Sequence, residues 1–198
     1  MDNDNSYKKK ESDQGLLVGK LLLAMPNMVD PRFHQAVIYM VSHHAKGAMG
    51  IVINKVLQDL TFEQLLQEAG LSEIALKRQN VRLLNGGPVE MQHGFLIHTP
   101  DFKHENSIHV DERISVSANL DALRAFAEGE TPKEGLLALG YAGWSGGQLE
   151  KELQENSWLA CEADYDLLFN TDQGRLWDRA YARLGVDPRL ISLQSGLA

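Results

Sequence analysis

Two kinds of apolar run alternate along this chain. Residues 36–41 (AVIYMV) and 51–53 (IVI) are continuous and rich in β-branched side chains. They lack the period-two alternation of a half-exposed strand, so they predict strands covered on both faces. Residues 43–47 (HHAKG) between them read as a loop of several residues closing a hairpin. Further strands are expected within 15–25, at 81–84, 94–98, 108–110, 114–116, 136–141 and 158–163. The other runs have helical spacing. Phe62, Leu65, Leu66 and Ala69 recur at i, i+3, i+4 and i+7 behind Thr61 and Gln64, a capping box, with Gly70 beyond the end. Asn119 opens a helix with Leu120, Leu123, Phe126 and Ala127 inward and Gly129 after it. Residues 145–156 predict a third helix. Asp172 caps a fourth, in which Leu176, Ala180 and Leu184 share a face. Strands interspersed irregularly with about four helices imply a mixed α+β fold.

The first 14 residues break this patterning. They are nearly all polar and cannot bury themselves, so a disordered tail at 1–14 and a single domain at 15–198 are expected. The apolar run at 15–25 is interrupted by Lys20 and ended by Pro26. It is too short for a membrane span and too far from the start for a signal peptide. With one cysteine, Cys161, no internal disulfide can form, and a cytoplasmic location is expected. Asp and Glu number 27 against 19 Lys and Arg, a formal charge of -8, which leaves no general footprint for nucleic acid. The excess is concentrated: from Ser145 to Asp172 seven carboxylates face one lysine. A solvated face is the ordinary meaning, and a docking surface for a basic partner the functional one.

Candidate chemistry is sparse. Gly143-Trp144-Ser145-Gly146-Gly147 fits the G-x-S-x-G nucleophile elbow between a strand and a helix. All seven histidines (34, 43, 44, 93, 98, 104 and 109) precede Ser145, which removes the triad order belonging to that elbow. The same residues also spell a helix start. Ser145 reads as N-cap, Gln148 as its capping-box partner, and Trp144 with Leu149 as a hydrophobic staple. Gly146 and Gly147 would then be the first helical residues, with bare N–H groups. Residues 15–20 (GLLVGK) miss the P-loop spacing, and no G-x-G-x-x-G occurs. Phe62 to Asn80 has the outline of a helix-turn-helix, but Leu66 is bulky at the crossing and positive charge is scarce. The histidine spacing matches no metal motif, and no metal or cofactor is expected. Cys161, Trp177 and Tyr181 read as core.

Four stretches, taken together, resemble the AlgH/YqgE family of bacterial proteins: residues 17–55, LLNGGPV at 83–89, GFLIHT at 94–99, and GYAGWSGGQLEKEL at 140–153. The resemblance implies an α+β fold whose bent, largely antiparallel sheet closes into a partial barrel flanked by helices. It also implies cytosolic residence in bacteria and, for part of the family, regulation of gene expression, with no established catalytic residue. The family marks carried here are Asn85, Gly86, Gly87 and Pro88, then Trp144, Ser145, Gly147, Gln148, Leu149 and Glu152. The leading expectation is a non-catalytic binding or regulatory domain for an unidentified protein or small molecule, with no direct binding to nucleic acid or membrane. The rivals are a hydrolase using Ser145 and DNA binding through residues 62–80. Both Gly-Gly turns, at 86–87 and 146–147, follow strands. They are expected to be neighbours at one end of the sheet and to line, with Asn85, Pro88, Trp144, Ser145, Gln148 and Glu152, a shallow polar cleft.

Overall fold

The computed structural model describes residues 15–194, with side chains through residue 191. The tail expected at 1–14 lies outside the described residues. Nine strands form one curled sheet: β1 (Lys20–Ala24), β2 (Val37–His44), β3 (Gly47–Val52), β4 (Leu83–Asn85), β5 (Val89–His98), β6 (Ile108–His109), β7 (Ser115–Ser117), β8 (Gly135–Ser145) and β9 (Trp158–Glu162). The order is β6-β7-β5-β8-β3-β2-β1-β9, with β4 also on β8. Every pair is antiparallel except β4 with β8. The result is the α+β half-barrel that the family resemblance implies.

The continuous apolar runs are explained by burial on both faces. Leu21, Leu23, Val37 and Tyr39 face one core, while Leu22, Ala24, Ile38 and Met40 face a second. The first core is closed by α4 (Tyr165–Phe169) and α5 (Leu176–Arg183) through Leu167, Leu168, Trp177, Ala180 and Tyr181. The second is closed by α3 (Gln148–Gln154) through Leu149 and Leu153. A third lies under α1 (Phe62–Glu68) and α2 (Leu120–Glu128). A further helix, α6 (Pro188–Gln194), follows α5. Cys161, Trp177 and Tyr181 are core residues, and the two aromatic polar tips both donate to the Ala24 carbonyl.

Local signals set most helix ends. Thr61 and Gln64 exchange both capping-box bonds, and Asn119 Oδ1 accepts from the Ala122 N–H. Five expectations are corrected. The hairpin loop shrinks to Ala45 and Lys46, because His43 and His44 pair with Ala48 and Gly47 and extend the ladder. Leu120, at the first helical position, is 56% exposed, and Ala122 takes its place inside. Leu184, expected on the inner face of α5, is 38% exposed at its C-cap, and Asp172 caps a 3-10 turn (Gln173–Arg175) that runs into that helix. Helix α3 starts three residues later than expected, since β8 stays paired through Ser145.

One topological detail organises the rest. Leu137, Ala138 and Leu139 of β8 pair with Leu83, Leu84 and Asn85 on one side and with Leu96, Phe95 and Gly94 on the other. Strands β4 and β5 therefore flank β8, and residues 86–88 must pass across its face to join them. Gly86 donates to the Leu139 carbonyl and accepts from the Val52 N–H during that passage. A Cβ on Gly86 would stand 2.2 Å from the Gly140 oxygen, and one on Gly87 2.2 Å from the Tyr141 carbonyl carbon. Only glycine lets backbone lie on backbone at such distances.

Candidate functional site

The polar marks of residues 144–152 assemble around one carboxylate. Trp144 is the last residue but one of β8, Trp158 starts β9, and Glu152 lies one turn beyond Gln148 on α3. The Trp144 and Trp158 indole N–H groups both donate to Glu152 Oε2, at 2.8 and 2.7 Å. Gln148 Nε2 donates to Glu152 Oε1 at 2.9 Å. Gln148 Oε1 in turn accepts from the Ser145 N–H at 3.0 Å and the Ser145 hydroxyl at 3.1 Å. The two indoles are nearly buried and meet edge to face at 6.0 Å. Buried indole N–H groups need an acceptor, and a charged one makes the stronger bond. Glu152 thus fastens the end of one strand, the start of another and the helix between them.

This changes the reading of the turn. Ser145 is not an N-cap: it is the last strand residue, and its hydroxyl donates instead of accepting. Gly147 holds the N-cap position in the left-handed region at φ 78°, and Gln148 is the first helical residue. The reach of Gln148 back to the Ser145 N–H preserves one half of the expected capping box. Trp144 and Leu149 do share a core cluster.

Trp144, Gln148, Glu152 and Trp158 line a cleft of about 440 Å³ whose opposite wall carries Asp30, Arg32, Phe33 and Pro88. Phe33 meets Trp158 edge to face at 5.7 Å. Arg32 grips Asp30 through Nε and Nη2, at 3.0 and 2.6 Å, and this pairing holds the Asp30 carboxyl below its ordinary range. The loop bearing these residues is pinned from β3's end. Asn54 accepts from the Val37 N–H and donates to the Gln35 carbonyl, and Lys55 Nζ donates to the His34 carbonyl. Phe33, Arg32, Lys55 and Trp158 were not singled out from the sequence. Their signal was present only as part of the long matching stretch at 17–55 and as a lone aromatic at 158.

The two Gly-Gly turns are not neighbours, and they do not pack on each other. Gly86 and Gly87 lie against residues 140–142 of β8, while Gly146 faces the Ala45 carbonyl of the β2–β3 turn. Along β8 the contact points are about five residues apart, roughly 16 Å at ~3.3 Å per residue. Pro88, next to the first turn, reaches the cleft, as do Trp144, Gln148 and Glu152 around the second. Asn85 and Gly87 border a smaller adjoining cavity of about 200 Å³. Ser145, Gly86, Gly146 and Gly147 line neither.

The competing motifs are placed elsewhere. Ser145 is bonded to Gln148, and the histidines engage other partners. His43 pairs with Glu150 at 2.8 Å, His93 with Glu90, and His104 with Asp121. His98 is fully buried: Nδ1 faces the Thr99 carbonyl at 2.7 Å, so Nε2 accepts from the Ser117 hydroxyl at 2.8 Å. Burial lowers the His98 pKa, which keeps the ring neutral inside the sheet. Ser117 is itself 1% exposed, and the pair ties β5 to β7. After Gly70 the chain forms no second helix through Asn80. Arg78 donates to the Pro132 and Lys133 carbonyls and stacks on Phe126, while Arg82 pairs with Asp172. The helix-turn-helix outline is therefore a capped helix followed by an anchored loop. The acidic stretch is also largely engaged. Glu150, Glu155, Glu162, Asp164 and Asp172 hold cationic or histidine partners, Glu152 holds the indoles, and Asp166 accepts from Asn170. No group of His, Cys, Asp and Glu among the described residues could hold a metal ion, and no described helix is long and apolar enough to cross a membrane.

A curled, largely antiparallel half-barrel with a strap across its central strand and a tryptophan-walled cleft defines a distinct class of α+β protein. The chain belongs to the AlgH-like family, whose model matches residues 21–189. A UPF0301 protein of Beijerinckia indica is 44% identical, with 98% of both chains covered. One of Rhodospirillum rubrum is 44% identical over 95% of this chain and 97% of its own. The solution structure of the AlgH protein from Pseudomonas aeruginosa superposes with a TM-score of 0.75 at 39% identity, covering 92% of this chain and 94% of that one. A crystal structure from Corynebacterium diphtheriae shares the fold, with a TM-score of 0.66 at 20% identity over the same shares.

Proposed function

We propose that this protein is a non-catalytic binding domain, acting in regulation through what it binds, and that the cleft between Phe33, Trp144 and Trp158 receives a small molecule. The observation that carries this reading is the engagement of Glu152. Its carboxylate is held by two indoles and Gln148, so it serves to fix the walls and is not poised for proton transfer. A site whose walls are fixed before the ligand arrives avoids the entropic cost of ordering them on binding. Its volume falls within the range typical of small-molecule pockets. The cleft's one hydroxyl, on Ser157, is bonded to neither of its carboxylates: Asp30 is held by Arg32, and Glu152 by the indoles and Gln148. An influence on gene expression would then be indirect, through the occupied state of the domain.

The test is equilibrium dialysis of the purified full chain against a bacterial small-molecule extract, with mass spectrometry of what is retained. Wild type should retain a compound that Phe33→Ala loses while keeping its folded circular dichroism. Retention by both proteins alike, or by neither, would overturn the cleft as the site. Ester turnover that is abolished by Ser145→Ala would replace this reading with the hydrolase.

A further inference from the structure

The two adjoining cavities differ in charge. The larger holds two carboxylates, Asp30 and Glu152, beside the half-buried ring of Phe33 and the nearly buried Trp144 and Trp158, whose indole N–H groups Glu152 engages. The smaller contains Arg32 and Lys55 and no carboxylate. Arg32, Phe33 and Pro88 line both, so the two spaces adjoin along these residues.

Each cation has unused capacity. Lys55 is half-buried and donates one bond, 2.6 Å to the His34 carbonyl, and no carboxylate among the described residues pairs with it. Burial lowers its pKa, the mark of an ammonium without a compensating charge. Arg32 commits Nε and Nη2 to Asp30, which leaves Nη1. Asn85 uses Oδ1 to accept from the Gly87 N–H at 3.2 Å, which fixes its amide and leaves Nδ2 to donate. On a chain of net charge -8, a recess that no carboxylate lines, with Lys55, an Arg32 already paired to Asp30 and an oriented amide, departs from the surrounding field.

We infer that the smaller cavity takes the anionic group, phosphate or carboxylate, of a small molecule whose planar ring lies against Phe33 in the tryptophan-walled cleft. This rests on the reading of the cleft as a binding site and specifies its ligand class. Lys55 and Arg32 supply charge, Asn85 supplies a directed donor, and the aromatic walls select a flat body over an extended one.

The experiment titrates the full chain at low ionic strength with four probes, followed by calorimetry and tryptophan fluorescence. Adenosine monophosphate and indole-3-acetate carry ring and anion, adenosine carries the ring alone, and ribose 5-phosphate the anion alone. The ring-bearing anions should bind about tenfold or more tightly than adenosine, the size expected of a charge-assisted bond. Lys55→Met should remove about that factor for the anions and leave adenosine unchanged. Arg32→Gln, at a 62% exposed side chain, makes the same comparison should Lys55→Met fold poorly. Competition by free phosphate against competition by acetate, at matched ionic strength, separates phosphate from carboxylate. Equal binding of adenosine and its monophosphate, equal weakening of both by Lys55→Met, or no binding of any probe at millimolar concentration overturns the inference. If extract dialysis still yields a compound lost by Phe33→Ala, the binding domain stands and only the anionic class has failed. If Phe33→Ala changes nothing, the cleft itself has failed.

Discussion

The chain contains two Gly-Gly turns that look alike in sequence and serve opposite purposes. Gly86-Gly87 is buried and lies backbone on backbone across β8, where an added Cβ meets carbonyl atoms that no side chain can move aside. Gly146-Gly147 is exposed and turns the end of β8 into α3. There Gly147 has nothing within 4 Å of its missing Cβ and is needed only for its left-handed φ. The first turn is a demand of topology, because three residues must carry the chain from one edge of a strand to the other. The second is a demand of local backbone geometry at Gly147, although Gly146 beside it also lies against the Ala45 carbonyl. Identical residues can therefore answer a long-range steric constraint or a short-range torsional one, and only the second can be relieved by a different residue.

Substitutions rank the two turns. Gly87→Ala should be the most damaging, because φ is +145° and the new Cβ would lie within 2.5 Å of three Tyr141 and Ala142 backbone atoms. A loss of about 4 kcal/mol or more is expected, enough to leave little folded protein in urea titration. A stable, folded Gly87→Ala would show that the strap is loose and would dissolve the contrast. Next comes Glu152→Leu, which keeps the second turn intact but leaves two indole N–H groups without their acceptor. A loss of about 2–4 kcal/mol is expected, with Glu152→Gln recovering most of it. If the urea midpoint of Glu152→Leu matches wild type, the carboxylate does not organise the cleft.

Within the second turn the two glycines should separate. Gly146→Ala brings a Cβ to 2.6 Å from the Ala45 carbonyl, so the two-residue hairpin must shift, at a cost of about 1–3 kcal/mol. Gly147→Ala meets no atom and should cost about 1 kcal/mol from the torsion alone, with Gly147→Asn milder still. Equal losses at 146 and 147 would mean that torsion dominates throughout the turn. The smallest effect is expected at a buried polar group that supports neither turn. The Tyr39 hydroxyl is buried with no hydrogen-bond partner among the described residues, and burial raises its pKa far above the ordinary phenol value. Tyr39→Phe should leave the urea midpoint unchanged or slightly raised, since it removes only an unpaired group. A clear loss there would show that even unpaired buried polar groups carry stability in this sheet, and the ranking would lose its baseline.

Some of the cleft was legible before the fold was known. Trp144 and Gln148 stood out as a staple and a capping-box partner, Glu152 through its place about two helical turns beyond Ser145, and Pro88 through the family resemblance. The partner wall was not legible. Phe33 and Arg32 belong to an irregular loop between β1 and β2, Lys55 to the segment after β3, and Trp158 is the first residue of β9. None has a neighbour in sequence that reveals its role. Ser145 was drawn toward capping and nucleophile readings because both are local patterns. The strand ladder to Gly47 overrode them by keeping Ser145 extended.

The sequence by itself determined what depends on residues within about five positions of one another. It determined the capping box at Thr61, the Asn119 cap, the helix-ending glycines, the doubly buried strands at β2 and β3, and the paucity of local catalytic motifs. The tertiary structure decided what depends on contacts between distant segments. It set the passage of residues 86–88 over β8 and the separation of the two turns. It also gathered the tryptophans around Glu152 and placed Lys55 beside Arg32. The division follows from the range of the forces. Capping bonds and torsional preferences are satisfied within a turn of chain, whereas the approach of one backbone to another is fixed only when the whole sheet has closed.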